Sequence, residues 1–340
     1  MKNETRKLFN AFLGEIAQLN GIDNPAQKFV AAPSVQQRME DRMQESAEFL
    51  TKINNVGVDE QQGEKILLGI GSPVSGTTDT TNTDRQVVDV STLDADGYIC
   101  TQTNFDTFLS YKKIDMWAKF KDFQTRIRDH LLLRKALDVM MIGFNGTSRA
   151  ATSNKVANPL LQDVNIGWLE KIRQFATERY IHEVAAASNT IEIGKSVSAA
   201  NGYKNLDALV LDMINNLIDP WHRGDTGLVV IAGRKLIDDK NFGLINTDQA
   251  ATEQIASRIL VSQATVGGLP AARVPFFPED ALLITRYDNL SRYFQNGALR
   301  RTIVDNAKRD RIENYESSND AYVVEDYGLT AFAENIELVD

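Results

Sequence analysis

The residues best spaced for chemistry are those of the glycine-rich run at 69–78, GIGSPVSGTT. There Gly71 and Gly76 have the separation of a phosphate-binding loop, and Thr77 and Thr78 follow. Such a loop cradles phosphate oxygens on backbone N–H groups, adds a lysine after the second glycine and opens a helix. Here the lysine is missing, no helical pattern follows, and Val74 stands where a dinucleotide loop needs its third glycine. The run therefore reads as a turn. His182 and Glu183 begin a zinc-protease-like HExx pattern, but Ala186 occupies the second histidine position, and His130 and His222 lie on distant segments. Cys100, the only cysteine, falls in an apparent strand with no histidine nearby, which favours a structural thiol over a nucleophile. No GxSxG elbow occurs and the carboxylates are dispersed. The expectation is no catalytic residue, no cofactor and no metal, hence not an enzyme.

Composition narrows the classes further. With 340 residues, 43% of them hydrophobic, the chain can bury a sizeable core in two or three structural units. A net charge of -9 argues against a surface built to grip phosphates throughout, so any nucleic-acid contact should be local. One cysteine permits no intrachain disulfide, which suits a reducing cytoplasm. No apolar run is long enough for a membrane span, and Lys7, Asn10 and Glu15 interrupt what would be a signal peptide's apolar core.

The elements that would position any site centre on residues 114–146. Met116, Phe120, Phe123, Ile127, Leu131, Leu137, Met141 and Phe144 fall mostly in steps of three and four, with no Pro or Gly between Ile114 and Ile142. This predicts one helix of roughly 45 Å, a strut longer than a compact domain needs. Before it, residues 4–20 form an amphipathic helix bearing Leu8, Phe9, Phe12, Leu13, Ile16 and Leu19, stopped at Gly21. Its apolar face has three candidate partners: the chain's own core, another protein or a membrane surface. The mixed charges Glu4, Arg6, Lys7 and Glu15 make the membrane the weakest of these. A polar helix after Pro33 rests on Val35, Met39, Met43, Phe49 and Ile53. Residues 56–113 switch to strand-like patterns joined by a connector far longer than a hairpin turn, densest in Thr and Asp from Thr77 to Asp84. A two-stranded ribbon with so little to pack on should lie against something else, such as another subunit.

After the strut, a helix runs through Trp168, Ile172 and Phe175, and a small hairpin is expected within 187–203. Another helix carries Leu206, Leu209, Val210, Met213, Ile214 and Leu217, with Asn205 as N-cap and Pro220 as stop. Residues 228–233 read as a buried strand, and helical pieces are expected at 234–240 and 252–260. Strands are expected around Asn296 and Gly297, and the alternating tail should return to the sheet beside the strut. Residues 111–135 carry eight Lys or Arg against three Asp, whereas 315–340 carry seven acidic residues and no basic one. These blocks either solvate opposite faces or meet between subunits.

This order of parts resembles the Hong Kong 97 fold of tailed-phage major capsid proteins. The segments FNAFLGEIAQLNGI, GEKI, IDMWAKFKDFQTRIRDHLLLRKALDVMMIGFNG, NPLLQDVNIGWLEK, LDALVLDMINNLIDPW, LVVIAGRKL, LPAARVPFFPEDALLIT and RIENYESSNDAYVVEDY are similar to those of the major capsid proteins of P-two-like phages, the peduoviruses. The resemblance covers nearly the whole chain. It implies an α+β capsid fold with an N-terminal segment 1–29, an arm 30–55, an extended β-ribbon loop 56–112, and a peripheral domain 113–200 whose spine helix spans 114–144. An axial α/β domain 201–305 and a return 306–340 to the peripheral domain complete it. It also implies pentamers and hexamers of an icosahedral shell around packaged double-stranded DNA held without sequence preference, and no membrane. Scaffold, maturation protease and a portal at one vertex would be partners, with assembly in the host bacterial cytoplasm and residence in the virion. Processing would fall near Phe29 and Val30. Phe9, Phe12, Leu13 and Ile16 would meet the scaffold, and Thr77, Thr78, Asp79, Thr80, Thr81 and Asp84 would form the intersubunit loop tip. A tail or baseplate protein, or an enzyme with an unrecognised site, is the alternative.

Overall fold

Apolar spacing accounts for most elements of the computed structural model, which describes residues 1–67, 75, 77–82, 84–85, 92–118, 123–238 and 265–339. Helix α1 (Asn3–Asn20) leads to a short strand, β1 (Phe29–Val30). Helix α2 (Pro33–Glu45) starts on a proline, which lacks only an N–H that a first turn leaves unpaired anyway. α3 (Glu48–Lys52) and β2 (Asn54–Val58) follow. β3 (Gln62–Leu67) and β4 (Thr92–Ile99) pair antiparallel as a ribbon, and β5 (Thr101–Asn104) and β6 (Thr107–Ser110) lead into α4 (Tyr111–Trp117) and α5 (Phe123–Asn145). Next come α6 (Trp168–Phe175), β7 (Tyr180–Ile181), β8 (Ile191–Ile193), β9 (Gly202–Tyr203) and α7 (Leu206–Asn216). As expected, Asn205 caps α7, its side chain accepting from the Ala208 N–H at 2.8 Å. The remaining strands are β10 (Val229–Ala232), β11 (Thr265–Val266), β12 (Leu269–Ala272), β13 (Leu282–Thr285), β14 (Leu290–Gln295), β15 (Arg300–Asn306), β16 (Arg311–Val324), β17 (Ala331–Ala333) and β18 (Ile336–Leu338).

The 14-residue β16 organises the largest sheet. Asp320 pairs with both Phe294 and Thr101, and Arg311 with both Asn306 and Ser110. β14 and β15 therefore run along one side of β16, and β5 and β6 along the other. β1 pairs with β15, and β2 lies parallel to β14. The six-stranded sheet, β11-β12-β10-β13-β17-β7, is covered on both faces. Ile231 and Leu283 face the core that holds α5 and α6, whereas Val230, Leu282 and Ile284 face the core beneath α7. A strand buried on both sides needs the continuous apolar run read at 228–233.

Four expectations are corrected. The single helix over 114–144 is described as α4 and α5: α4 ends in a turn at Ala118, and 119–122 lie outside the described residues. At 23 residues, α5 is about 34 Å long. Met116 on the expected stripe is exposed, while Val139, Met140, Met141, Ile142 and Phe144 are all buried, because α3, α6 and both sheets close around this end of α5. The ribbon is shorter than 56–112, since Val56 belongs to β2 and residues 101–110 pair with β16. Finally, 187–203 holds no hairpin: β8 pairs parallel with β9 and with β18. A Cβ on Gly202 would lie 1.9 Å from the Glu192 carbonyl oxygen, an approach only glycine allows. The piece expected at 252–260 and most of the run at 69–78 lie outside the described residues.

The contact of α5 with α6 is equally tight. The fully buried Trp168 donates its indole N–H to the Ser291 carbonyl at 2.8 Å, and a Cβ on Gly143 would stand 2.2 Å from its ring. Gly143→Ala should therefore destabilise by about 1–3 kcal/mol through overpacking, and Trp168→Ala by about 3–5 kcal/mol through the cavity it leaves. Urea unfolding measures both; an unchanged midpoint for Gly143→Ala would show that α6 can slide away freely.

Candidate assembly site

Where α2, α5, β14 and β16 converge, five charged side chains are buried together. Arg292, fully buried on β14, donates to Glu40 of α2 at 2.6 Å and also to Asp320 of β16. Lys135 of α5 donates to Glu316 of β16 at 3.0 Å and lies 4.0 Å from Glu40. Ser318 donates to the second Asp320 oxygen at 2.7 Å. Burial alone would push the Glu40 carboxyl up, but Arg292 and Lys135 outweigh it and hold it below the usual carboxylate range. Burial pushes the Lys135 ammonium down, yet Glu316, Glu40 and Asp320 leave it raised. Glu40, Lys135 and Arg292 therefore stay charged.

The cluster answers the question left by the two charge blocks in an unexpected way. Lys135 from the basic block and Glu316 from the acidic block meet inside one subunit. Lys135 lies within the packing because its partners do. Sequence reading missed this site: of the contacts expected after Pro33, Met43, Phe49 and Ile53 are buried and Val35 and Met39 only partly so, but the buried Gln36 and Glu40 had no place among them. A signal existed: in the strand LSRYFQ, Arg292 takes the alternate position between Leu290 and Phe294, where an apolar residue is expected.

The first helix lies on the chain's own body. Phe9 and Ile16 are buried with Tyr111, Ile114, Ile303 and Ile312, and Phe12 and Leu13 are partly buried against them. Leu8 and Leu19 remain exposed. Arg6 and Tyr111 both bond to Asp305, and the Ile303 N–H donates to the Pro25 carbonyl at 3.0 Å. A cavity of about 480 Å³ remains between α1, α2, α5 and the sheet. Phe29 and Val30 are β1 itself, opposite Arg301 and Arg300 at the sheet edge, with Val30 exposed.

The tip residues Thr77, Thr78, Asp79, Thr80, Thr81 and Asp84 are exposed, and Asp79 accepts from the Thr81 N–H at 3.0 Å. Cys100 is buried where β4 passes into β5, and burial pushes its thiol up to about 12. His182 stacks on Tyr180, His222 bonds to Asp326 at 3.0 Å, and His130 is exposed. Among the described residues no group of side chains could hold a metal ion, and no helix is long and apolar enough to cross a membrane.

The sheet built on β16, the ribbon and the spine invite comparison with known shells. The family described as phage major capsid protein, P2 family, matches residues 8–336. The chain belongs to this family. It is 47% identical to a protein of Escherichia phage P2 described as capsid proteins, over 100% of this chain and 96% of that one. A major capsid protein of Serratia phage KSP20 is 42% identical over 99% of this chain and 97% of its own length. Among solved structures, the satellite phage P4 procapsid including size determination protein gives a TM-score of 0.83 at 45% identity, covering 100% of this chain and 99% of that one. The capsid of an empty gene-transfer-agent (GTA) particle, at 13% identity and a TM-score of 0.53 over 86% of this chain and 90% of that one, shares the fold alone. The fold is thus Hong Kong 97-like and the chain is a major capsid protein, a structural rather than an enzymatic family.

In this capsid protein the charge cluster joins α2 to α5 and the central sheet, so it carries a stability prediction. Arg292→Met leaves Glu40 and Asp320 buried without their cation and should cost about 3–5 kcal/mol. Urea unfolding of the subunit tests it, and a loss below about 1 kcal/mol would show that water replaces the guanidinium. Acid acts on the same cluster. The folded Glu40 carboxyl is held below its unfolded value of about 4.3, so its stabilisation is complete above that pH and disappears as pH falls through the folded value. In Glu40→Gln the dependence of the unfolding midpoint on pH below about 4.3 should be shallower than in the parent.

Proposed function

We propose that this capsid protein closes into an icosahedral head of pentamers and hexamers around double-stranded DNA, assembled in the host cytoplasm on a scaffold, with a portal at one vertex. The observation that carries the reading is the ribbon. Among the described strands β3 and β4 pair only with each other, and the described residues of their connector, among them Thr77 to Thr81 and Asp84, are exposed. A ribbon with one free end is marginal by itself, and a neighbouring subunit is what would support it. The rigid double-sided body behind it supplies a fixed frame, while arms and ribbons tolerate the small rotations that repeated settings in a shell demand. Many modest contacts per subunit then add up by multivalency.

We read 1–29 as the scaffold-facing segment, 30–55 as the arm, 113–200 and 306–340 as the peripheral domain and 201–305 as the axial domain. On this reading Phe9 and Ile16 hold α1 to its own subunit, and Phe12 and Leu13 face the scaffold together with Leu8 and Leu19. A maturation protease would cut near Phe29 and Val30. This segment is already extended at a sheet edge, the conformation in which peptides add to a binding strand.

Electron microscopy of the full chain expressed with its scaffold tests the reading, with closed shells as the expected result and tubes or free subunits as the contrary one. Deleting 77–84 should reduce closed shells severalfold and leave the subunit's thermal midpoint unchanged; normal heads from the deletion would remove the tip from the contact.

A further inference from the structure

The cavity between α1, α2, α5 and the sheet is basic, although the chain that forms it is acidic. Seven Lys or Arg line it against four Asp or Glu, whereas the whole chain carries a net charge of -9. Three of the seven are matched by a carboxylate: Arg128 by Asp129 at 2.9 Å, Arg134 by Asp138 at 2.7 Å and Lys135 by Glu316 at 3.0 Å. Among the described residues Arg38, Arg42, Lys155 and Arg301 have no carboxylate within ion-pair distance. The other two lining carboxylates, Glu15 and Asp106, are too few to balance them.

Arg38 and Arg42 lie one turn apart on α2, a like-charged pair that costs a helix stability unless counter-charge is supplied. Both are exposed. Arg38 donates to the Ser34 carbonyl of its own helix at 3.1 Å, and the neighbouring Asp41 accepts from Gln37 at 2.8 Å. On β15, Arg301 is partly buried and donates its Nε–H to Asn314 at 2.6 Å. Burial holds its guanidinium below the ordinary arginine range, and Glu316 offsets this only in part. Such a cation gains from an anion brought in from outside.

The same lining is largely apolar. Phe9, Ile16, Ile303 and Ile312 belong to it and to the small core under α1, while Leu19 and Phe108 stand 55% and 60% exposed. An exposed apolar surface rimmed by charge marks an interaction site. Nucleic acid would meet the cations with phosphates but leave the apolar floor unused, since backbone contacts supply most of its binding. A helix laid in the groove uses both: residues at i, i+3, i+4 and i+7 turn inward and carboxylates run along the flanks.

We propose that the groove between α1, α2 and α5 docks an acidic amphipathic helix of a partner protein. Leu19 and Phe108 meet its apolar stripe, and Arg38, Arg42, Lys155 and Arg301 meet its carboxylates. Docking on a free subunit needs no closed shell, so this proposal and the capsid reading stand or fall separately.

Calorimetric titration of the full chain with two synthetic helical peptides of about 15 residues tests it. Both carry Leu along one face; one is flanked by Glu, the other by Lys. The acidic peptide should bind at least about tenfold tighter at low salt, and the preference should shrink as salt rises to about 0.5 M. The Arg38→Glu, Arg42→Glu double variant should remove most of that preference with an unchanged melting temperature, because both side chains are exposed. Lys235→Glu, exposed outside the groove, should leave it intact. Phe108→Ala should weaken both peptides at least about threefold. Equal binding of the two peptides, no binding of the acidic one, or a preference that survives the double reversal overturns the proposal. Displacement of the acidic peptide by a duplex oligonucleotide gives the groove to nucleic acid and overturns it too.

Discussion

Arg292 cannot be neutral and cannot reach water, and much of the subunit is arranged around that constraint. Its guanidinium needs acceptors, which arrive from helix α2 and strand β16; these carboxylates need Lys135, which arrives from α5. An ion cluster of this kind is a weak source of net stability, because desolvation offsets most of its attraction. Its effect is on specificity: a shifted register of β16, or a turn of α2 about its axis, leaves a buried charge alone. The arm, the spine and the central strand must therefore find one mutual arrangement.

A subunit so fixed suits a particle made of repeated copies. The body is stiff, with α5 clasped at its C-terminal end among aromatic rings and the six-stranded sheet buried on both faces. Variation between settings is left to the ribbon, whose strands pair only with each other among the described strands. Rigid centre and pliable periphery are complementary, because strain at a contact is absorbed where the packing is thin.

The main elements were legible because their patterns are local. Leu206 to Leu217 shows a helix face with its cap, and residues 228–233 show a strand buried on both sides. The long helix was legible as a spine but not in its limits, since the apolar spacing continues through Met116, which is exposed. The parallel pairing of β8 with β9 and β18 was not legible, because it depends on a strand some 140 residues later in the chain. The charge cluster was hidden for the same reason. Its members are scattered from Glu40 to Asp320, and apart from Arg292, between Leu290 and Phe294, each alone looks like an ordinary surface charge. Family likeness supplied what periodicity could not.

Cys100 marks the place where the ribbon becomes part of the sheet. It is the single residue between β4 and β5, it is fully buried, and its N–H donates to the Gln61 carbonyl at 2.7 Å across the ribbon's root. On the other ribbon strand Lys65 donates to the Val324 carbonyl at 2.7 Å, at the far end of β16. The ribbon is thus a lever whose fulcrum is clamped to the central strand. Force gathered at its tip is delivered as tension along β16, where it is borne in shear by the hydrogen bonds of four flanking strands rather than by the apolar packing of the cores.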